Sequence, residues 1–345
     1  MGRVATRRVL PRRRMIRAAG PVAAILALAA AAGCGGSTPS PSGTAHAATH
    51  GTAAPARQPA PAASLRLRSQ GRLPFAVQLP GVTALQGGTV LALGGLSSAD
   101  SSLDSVLAIR GGHASLAGHL PQAVHDVGAS TIGAHAYVFG GGTAGGPVAS
   151  ITAVGADGST AQAGTLPQPL SDTGAASIGS TVYVVGGYTV EAPQRTVLAY
   201  SPGSTPRSVA TLPHPLRYPA VAAVGARILI AGGTDGTQSR ADVVSVDPAS
   251  GRVRTVARLP APLSHAAGAS LGGIFYVLGG RVGAAEEPSS RIWAVDPATG
   301  SVRAAGRLPL ALSDLGAASS DGQLLAVGGR DSAGAAQDEI WTFAP

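Results

Sequence analysis

Short runs of small, β-branched and aromatic residues alternate with turn residues from position 64 to the end of the chain. One stretch shows the pattern: residues 172–178 are small and mostly apolar, Gly179-Ser180 is typical of a turn, and residues 181–185 (TVYVV) are β-branched and aromatic. Residues 195–200 then alternate between polar and apolar, and residues 206–210 follow with Arg207 at an exposed position. This pattern predicts four short antiparallel strands.

The pattern repeats along the chain. Leu-Pro pairs recur with spacings of 46 to 49 residues, and a Gly-Gly pair follows each of them by 20 or 21 residues. The Leu-Pro pairs lie at 73–74, 120–121, 166–167, 212–213, 259–260 and 308–309, and the Gly-Gly pairs at 94–95, 140–141, 186–187, 232–233, 279–280 and 328–329. Six four-stranded repeats predict an all-β fold, a six-bladed β-propeller.

The two ends of the repeat region complement each other. The last residues, 340–345 (IWTFAP), align with 292–297 (IWAVDP), a third strand, so the sixth repeat lacks its fourth strand. Residues 66–74 (RLRSQGRLP) align with 301–309 (SVRAAGRLP), which is a fourth strand followed by Leu-Pro. We therefore expect Leu65–Gln70 to pair with the C-terminal strand and close the ring, which would also cover two open sheet edges.

The repeats resemble a known family. A small strand, then VYVVGG at 182–187, then a third strand ending in AYSP (199–202), SVDP (245–248) or AVDP (294–297), then Leu-Pro, is similar to the kelch repeat. The resemblance covers residues 64–345 and implies a propeller of kelch-like blades. Family members differ widely in function, so the function has to be argued from particular side chains.

Charge distinguishes the start of the chain from the rest. The net charge is +8 with 25 Lys+Arg, all of them arginine, and seven arginines lie among the first 17 residues, where there is no acid. From residue 34 onward, arginines exceed acids by one, so a nucleic-acid partner is not expected for the propeller. The absence of lysine excludes a phosphate-loop lysine, a Schiff base and a Ser-Lys dyad.

The first 33 residues are typical of a signal peptide: residues 1–17 are basic and 18–32 are apolar. Residues 31–34 (AAGC) resemble the lipobox of bacterial lipoproteins, which implies a lipid on Cys34, the sole cysteine, and anchoring to the outer face of the membrane. An uncleaved anchor and a secreted form are the alternatives. Residues 12–17 (RRRMIR) loosely match the twin-arginine export pattern, so Sec and twin-arginine export both stay open.

Residues 34–63 join the leader to the propeller. After Cys34 they are almost entirely Ala, Pro, Ser, Thr and Gly, with no acid and almost no large apolar side chain. Such a segment buries too little apolar surface to offset the entropy of ordering, so we expect a disordered linker. The predicted organisation is therefore signal peptide 1–33, lipidated cysteine and linker 34–63, and propeller 64–345, which we expect to be monomeric.

Candidate chemistry lies where the repeats differ. The seventh position of each repeat, just before the small first strand, should lie near one mouth of the central channel, and its neighbour on the N-terminal side also varies. The candidate ligand-binding residues at these two positions are His125, Asp126, Asp172, Arg217, Tyr218, His265 and Asp314. They could form a polar pocket for a sugar or a cation. Alternatively, each aspartate bonds to nearby backbone at the start of its strand.

Other motifs point away from cofactor chemistry. Residues 268–272 (GASLG) fit the G-x-S-x-G nucleophile elbow, but they are one copy of a repeated strand and turn, not a strand-to-helix turn. Cys34 lies outside the propeller, so the Tyr–Cys copper-radical chemistry of galactose oxidase, which also has a kelch propeller, is excluded. No zinc-ligand spacing and no phosphate loop occur, so no metal and no cofactor are expected.

The sequence thus predicts an exported, membrane-anchored binding module. We expect it to recognise a protein or a carbohydrate through the channel mouth and the loops after the Gly-Gly pairs, because loops on a rigid scaffold commonly carry recognition. The alternative is a metal-independent, sugar-modifying enzyme, since bacterial exported kelch-like propellers include sialic-acid mutarotases. In that case the polar ring would supply the acid and the base.

Overall fold

A computed structural model describes residues 64–345 of the chain. The predicted signal peptide (residues 1–33), the predicted lipid on Cys34 and the predicted linker (34–63) lie outside the described residues. Within the described part, every regular element is a β-strand, which confirms the all-β prediction. Over the same stretch, no helix is long and apolar enough to cross a membrane.

In chain order, the strands are β1 (Arg66–Arg72), β2 (Gly81–Ala84), β3 (Val90–Leu93), β4 (Leu103–Arg110), β5 (His113–Val124), β6 (Gly128–Ile132), β7 (His135–Phe139), β8 (Gly142–Thr143), β9 (Gly146–Pro147), β10 (Ser150–Val154), β11 (Thr160–Thr165), β12 (Gly174–Ile178), β13 (Thr181–Val185), β14 (Gln194–Tyr200), β15 (Arg207–Leu216), β16 (Ala220–Val224), β17 (Arg227–Ala231), β18 (Arg240–Asp247), β19 (Arg252–Ser264), β20 (Ala267–Leu271), β21 (Ile274–Leu278), β22 (Arg281–Val282), β23 (Glu287–Asp296), β24 (Ser301–Ser313), β25 (Gly316–Ser320), β26 (Gln323–Val327), β27 (Arg330–Asp331) and β28 (Glu339–Ala344).

Antiparallel pairing groups the main strands into units of four, numbered here along the chain. Each unit is a meander in which every strand pairs with the next, and the two-residue strands β8, β9, β22 and β27 lie in the loops after the Gly-Gly pairs. The units are β2–β5, β6-β7-β10-β11, β12–β15, β16–β19, β20-β21-β23-β24, and β25-β26-β28 completed by β1.

The first strands of the units surround a central channel. Each of β2, β6, β12, β16, β20 and β25 contacts the first strand of the next unit, and β25 contacts β2, so the circle is closed and the fold is propeller-like. Space at the channel wall is limited: a Cβ added to Gly174 would overlap the Val221 side chain, and one added to Gly316 would overlap Val82. Close approach therefore explains why the first strands are made of such small residues.

Apolar side chains fill the spaces between neighbouring units. The six leucines of the Leu-Pro pairs are all buried there: Leu73, Leu120, Leu166, Leu212, Leu259 and Leu308. Their prolines have no N–H for a sheet hydrogen bond. In four units the long fourth strand, β5, β15, β19 or β24, continues through the Leu-Pro pair, which the sequence had placed after the strand. A register shift at this point accommodates the proline.

The predicted closure of the ring is confirmed. Strand β1 pairs antiparallel with β28, with Arg66 opposite Ala344 and Arg72 opposite Glu339. Leu65 is buried in one cluster with Trp341 and Phe343, and its N–H donates to the Ala305 carbonyl oxygen at 2.7 Å. The two ends of the domain are thus held in a single unit.

Deletion of residues 64–70 should destabilise the whole domain, because it removes the fourth strand of the sixth unit and exposes the edge of β28. We expect a loss of roughly 3 kcal/mol or more, the scale of removing a large buried side chain such as Leu65. The measurement is thermal unfolding of the full-length chain and the deletion variant. Deletion of residues 50–56, of equal length, is the control and should leave the melting temperature unchanged. Equal melting of all three proteins would contradict this role of β1.

Candidate functional site

Six residues at one repeat position form a ring, here called the mouth ring, at one end of the channel. They are Leu79, Asp126, Asp172, Tyr218, His265 and Asp314, and all have a left-handed backbone with φ between 54° and 60°. The N–H of each donates to the carbonyl oxygen of the mouth-ring residue in the preceding unit at 2.6 to 3.2 Å. The Leu79 N–H closes the circle on Asp314, so the six main-chain hydrogen bonds run once around the channel.

The left-handed backbone explains part of the residue choice at this position. For a residue with a Cβ this conformation costs roughly 1–2 kcal/mol, and Asp and His tolerate it better than most side chains. Leu79 and Tyr218 hold the same geometry without that advantage. Because strained backbone persists only where its surroundings enforce it, the closed hydrogen-bond circle fixes these residues and aims their side chains.

One carboxylate of the mouth ring pairs with an arginine from the neighbouring position. The Asp172 side chain is 2% exposed, and its Oδ2 lies 2.5 Å from Nη2 of Arg217. The angle is poor for a hydrogen bond, so the contact is best described as an ion pair. Burial raises the pKa of Asp172, and the Arg217 charge opposes that rise. The Arg217 guanidinium lies 4.3 Å from the ring centre of Tyr188 and donates to the Tyr218 hydroxyl at 3.0 Å.

A second carboxylate, Asp314, is fully satisfied. Its Oδ1 lies 2.6 Å from His265 Nδ1, and its Oδ2 accepts from Arg281 Nη2 at 2.8 Å and from the Ser313 hydroxyl at 2.6 Å. Burial alone would raise the pKa of Asp314, but the hydrogen bond and charge of His265, with Arg281 and Ser313, lower it to about 2. Asp314 is therefore ionised at neutral pH.

The third carboxylate, Asp126, has no such partner. The Tyr218 hydroxyl donates to its Oδ2 at a long 3.4 Å, and Nε2 of His125 is 3.8 Å away. Burial, followed by the charges of Asp172 and Asp314, raises the pKa of Asp126 well above its usual range. Burial also lowers the pKa of His125, which disfavours its cationic form. Asp126 is thus a buried carboxyl group, 6% exposed, that lacks a cationic hydrogen-bond partner within the described residues.

Two aromatic rings complete the mouth. Tyr218 and His265 stack with ring centres 3.7 Å apart and planes 24° from parallel. Burial and the charges of Asp126 and Asp172 raise the pKa of Tyr218, so its hydroxyl keeps the proton that it donates. These side chains and Asp126 line a small pocket of about 90 Å³ whose apolar walls include Pro80 and Pro219. Its size suits a single polar group of a ligand.

A larger cavity, about 260 Å³, lies further along the channel and is lined by different types of residue. Its lining consists of Val, Ala, Gly, Ser and Thr side chains from the six first strands, such as Thr83, Ser130 and Ser177. None of these side chains titrates near neutral pH. We therefore place the candidate site at the mouth, although the cavity there is smaller.

The structure brings all seven predicted residues to the mouth. Asp172, Arg217, Tyr218 and Asp126 form one chain of contacts, and His265 links it to Asp314 by stacking on Tyr218. His125 is at the edge, where its Nδ1 lies 2.9 Å from the Ser102 hydroxyl. The alternative in which each aspartate bonds to local backbone is wrong, since the hydrogen bonds of the Asp126 and Asp314 carboxylates and the ion pair of Asp172 involve side chains.

Sequence reasoning assigned no role to Arg281, Tyr188 and Arg330, which also belong to the mouth. Each is the first residue after a Gly-Gly pair and lies beside the residue that precedes the mouth ring. Arg281 binds Asp314, Tyr188 stacks on Arg217, and Arg330 donates to Gln78 at 3.3 Å. Alignment of the six repeats at this position would have revealed them as a further variable set.

Comparison with known proteins identifies the repeat. Residues 169–204 and 262–309 match the family model of the kelch motif, and these stretches contain Asp172 and His265. These two stretches of the chain are kelch motifs. No curated protein matches the chain in a sequence search. Across the described kelch repeats, no cluster of three His, Cys, Asp or Glu side chains has the geometry to hold a metal ion.

Asp314→Asn and Asp126→Asn should have opposite effects on the stability of the kelch domain. The pKa of Asp314 is lowered on folding, so its ionisation stabilises the fold above pH 4, and that stability is lost as the pH falls toward 2. We expect Asp314→Asn to cost about 2 kcal/mol at pH 7 and progressively less below pH 4. The pKa of Asp126 is raised, so its contribution is favourable in acid and is lost as the pH rises. Asp126→Asn should be neutral or stabilising at pH 7.

Urea unfolding of the wild type and both variants between pH 2.5 and 8 measures these effects. Equal destabilisation by both substitutions at pH 7 would show that the two carboxyl groups are equivalent structural residues.

Proposed function

We propose that the chain is an interaction module in which a six-bladed kelch propeller binds a partner, a protein or a glycan, at the channel mouth. Kelch repeats are typical of protein-interaction domains, and this supports recognition over catalysis. The proposal also includes export and anchoring on the outer face of the membrane through Cys34. Support for that part comes from the basic and apolar leader and from the small residues before the cysteine.

The observation that carries the proposal is the unpaired carboxyl group of Asp126 in a rigid setting. Asp314 is bonded by Arg281 and His265, and the charge of Asp172 is paired with Arg217, although Asp172 Oδ2 has no hydrogen-bond partner within the described residues. Asp126 faces the pocket with only a long hydrogen bond from Tyr218. A buried polar group without a good partner destabilises a fold, and such groups recur at sites where a ligand supplies the partner.

The mouth is also prepared for binding by its surroundings. The side chains are held by one another and by the hydrogen-bonded ring, so little conformational freedom remains to be lost when a ligand binds. The loops after the Gly-Gly pairs begin beside the residues that precede the mouth ring, and the lengths and charges of these loops differ between units. A partner can therefore place one polar or cationic group in the pocket and make broader contacts with the loops.

Binding should depend on the mouth and not on the rest of the channel. Using the full-length chain, a glycan array and a pull-down from the native envelope would identify a ligand. Tyr218→Ala and His265→Ala should each weaken binding of that ligand at least tenfold, because each removes half of the aromatic stack. Ser177→Ala, in the cavity further along the channel, is the matched control and should bind like the wild type. Undiminished binding by both mouth variants would move the site to the loops.

A second candidate function, a metal-independent enzyme acting on sugars, is favoured by one observation. Burial and neighbouring charges raise the pKa of Asp126, while that of Asp314 is lowered to about 2, so one mouth carboxyl group can donate a proton when the other is a carboxylate. Carboxyl groups whose pKa values are pushed apart are a recurrent feature of acid–base catalysts.

Anomer exchange of reducing sugars, followed by NMR, tests this second function. Catalysis would be lost in Asp126→Asn and would fall as the pH rises through the pKa of Asp126, since the protonated acid is then depleted. His119→Ala, which changes an exposed residue of β5, is the control. If the wild type does not accelerate exchange of any sugar, including sialic acid, the mutarotase candidate is wrong and the binding module stands.

A further inference from the structure

The end of the domain opposite the mouth carries a set of arginines at matched positions. Each fourth strand runs from this far end toward the mouth, and the residue five places before its Leu-Pro pair lies near the start of the strand. This residue is Arg207, Arg254, Arg303 and Arg68 in units 3 to 6, and Ser115 and Ala161 in units 1 and 2. The arginines thus occupy four consecutive units on one side of the domain.

Two more arginines extend this surface, which we call the basic end: Arg66, Arg68, Arg207, Arg252, Arg254 and Arg303. All but Arg303 are exposed. Among the described residues, none of the six forms an ion pair with an aspartate or glutamate. The guanidinium groups of four of them, Arg66, Arg207, Arg252 and Arg254, are therefore free to bind an external anion. Arg68 donates to the Pro345 carbonyl oxygen at 2.6 Å, and Nη2 of Arg303 is buried.

The acids of the far end do not neutralise these arginines. Asp247 pairs with Arg227 at 3.0 Å, and Asp157 and Asp296 accept hydrogen bonds from the residues of their own turns. Most of the other acids lie at the mouth or in the loops after the Gly-Gly pairs. Residues 64–345 contain equal numbers of arginines and acids, yet positive charge is in excess at one end and negative charge at the other.

The chain enters the domain at this same end. Strand β1 begins at Arg66, so the covalent connection to residues 1–63 is next to Arg66 and Arg68. That N-terminal segment contains the apolar run 18–32 and the cysteine at 34. The basic end is therefore the end of the domain that the chain joins to the apolar run and the cysteine.

From these observations we propose that the basic end docks on anionic phospholipid headgroups, with the channel mouth directed away from the membrane. Guanidinium groups bind phosphate with paired hydrogen bonds, and each basic side chain near an anionic leaflet strengthens attachment. The location of the arginines beside the chain entry favours a membrane over a dissolved polyanion. The proposal concerns a surface remote from the mouth and does not depend on the ligand bound there.

The test compares full-length protein on vesicles of phosphatidylcholine alone and on vesicles with about one third phosphatidylglycerol. Binding to the neutral vesicles measures the apolar contribution of the N-terminal segment, and the ratio of the two partition coefficients measures the contribution of charge. The arginines of residues 1–17 add to this ratio in every variant alike, so the comparison between variants isolates the basic end. The triple variant Arg207→Ser/Arg252→Ser/Arg254→Ser should lower this ratio roughly a hundredfold. The triple control Arg258→Ser/Arg291→Ser/Arg307→Ser removes the same charge from the mouth half of the domain. This control should keep most of the wild-type preference for anionic over neutral vesicles.

The three arginines to be replaced are exposed and make no side-chain hydrogen bond within the described residues, so the variant should melt like the wild type. The proposal is overturned if the wild type binds both kinds of vesicle equally well, or if the two triple variants lower the ratio of partition coefficients by the same factor. It is also overturned if anionic vesicles are ignored while a single-stranded oligonucleotide is bound through the same three arginines. That last result would identify a nucleic acid as the partner.

Discussion

The circle of six main-chain hydrogen bonds at the channel mouth links all six units of the domain in turn. Each N–H and each carbonyl in it is supplied by a left-handed residue, and the circle closes only because Leu79 reaches Asp314. That contact in turn requires the first and last units to be adjacent, which the pairing of β1 with β28 secures. The hydrogen-bond circle at the mouth therefore depends on the closing strand β1, although the residues of the two are far apart in the sequence.

This constraint also shapes the chemistry of the mouth. A backbone held in one conformation presents six side chains at fixed positions, and the differences between the repeats then decide the character of the site. Arginines from two different positions pair with Asp172 and Asp314, while no arginine reaches Asp126 closely enough to pair with it. The asymmetry of a nearly symmetric scaffold thus leaves one carboxyl group with a raised pKa at the pocket. The proposed recognition site at the mouth and the basic end at the opposite side are separate surfaces.

Much of the fold could be predicted because the same sequence pattern occurs six times along the chain. The Leu-Pro and Gly-Gly spacings, the small first strands and the missing fourth strand of the last repeat indicated the strand order and the closing pair. The left-handed backbone of the mouth ring could not be predicted from residues as different as Leu79, Tyr218 and Asp172. The continuation of β19 through its Leu-Pro pair was also missed, since a proline in a strand is accommodated only by a register shift that the neighbouring strand permits.

The sequence by itself determined the all-β fold, the repeat and the set of variable polar residues, because hydrophobic periodicity and glycine positions act locally and recur six times. The tertiary structure alone decided which of those residues meet. His265 with Asp314 and Arg217 with Asp172 are contacts between adjacent units, and Tyr218 with Asp126 is a contact between units that are two apart. The tertiary structure also decided the distribution of charge. Arginines and acids are equal in number in this domain, but the strands bring more arginines to one end and more acids to the other. The sequence alone does not show this separation, because electrostatic forces depend on distance in space and not on separation along the chain.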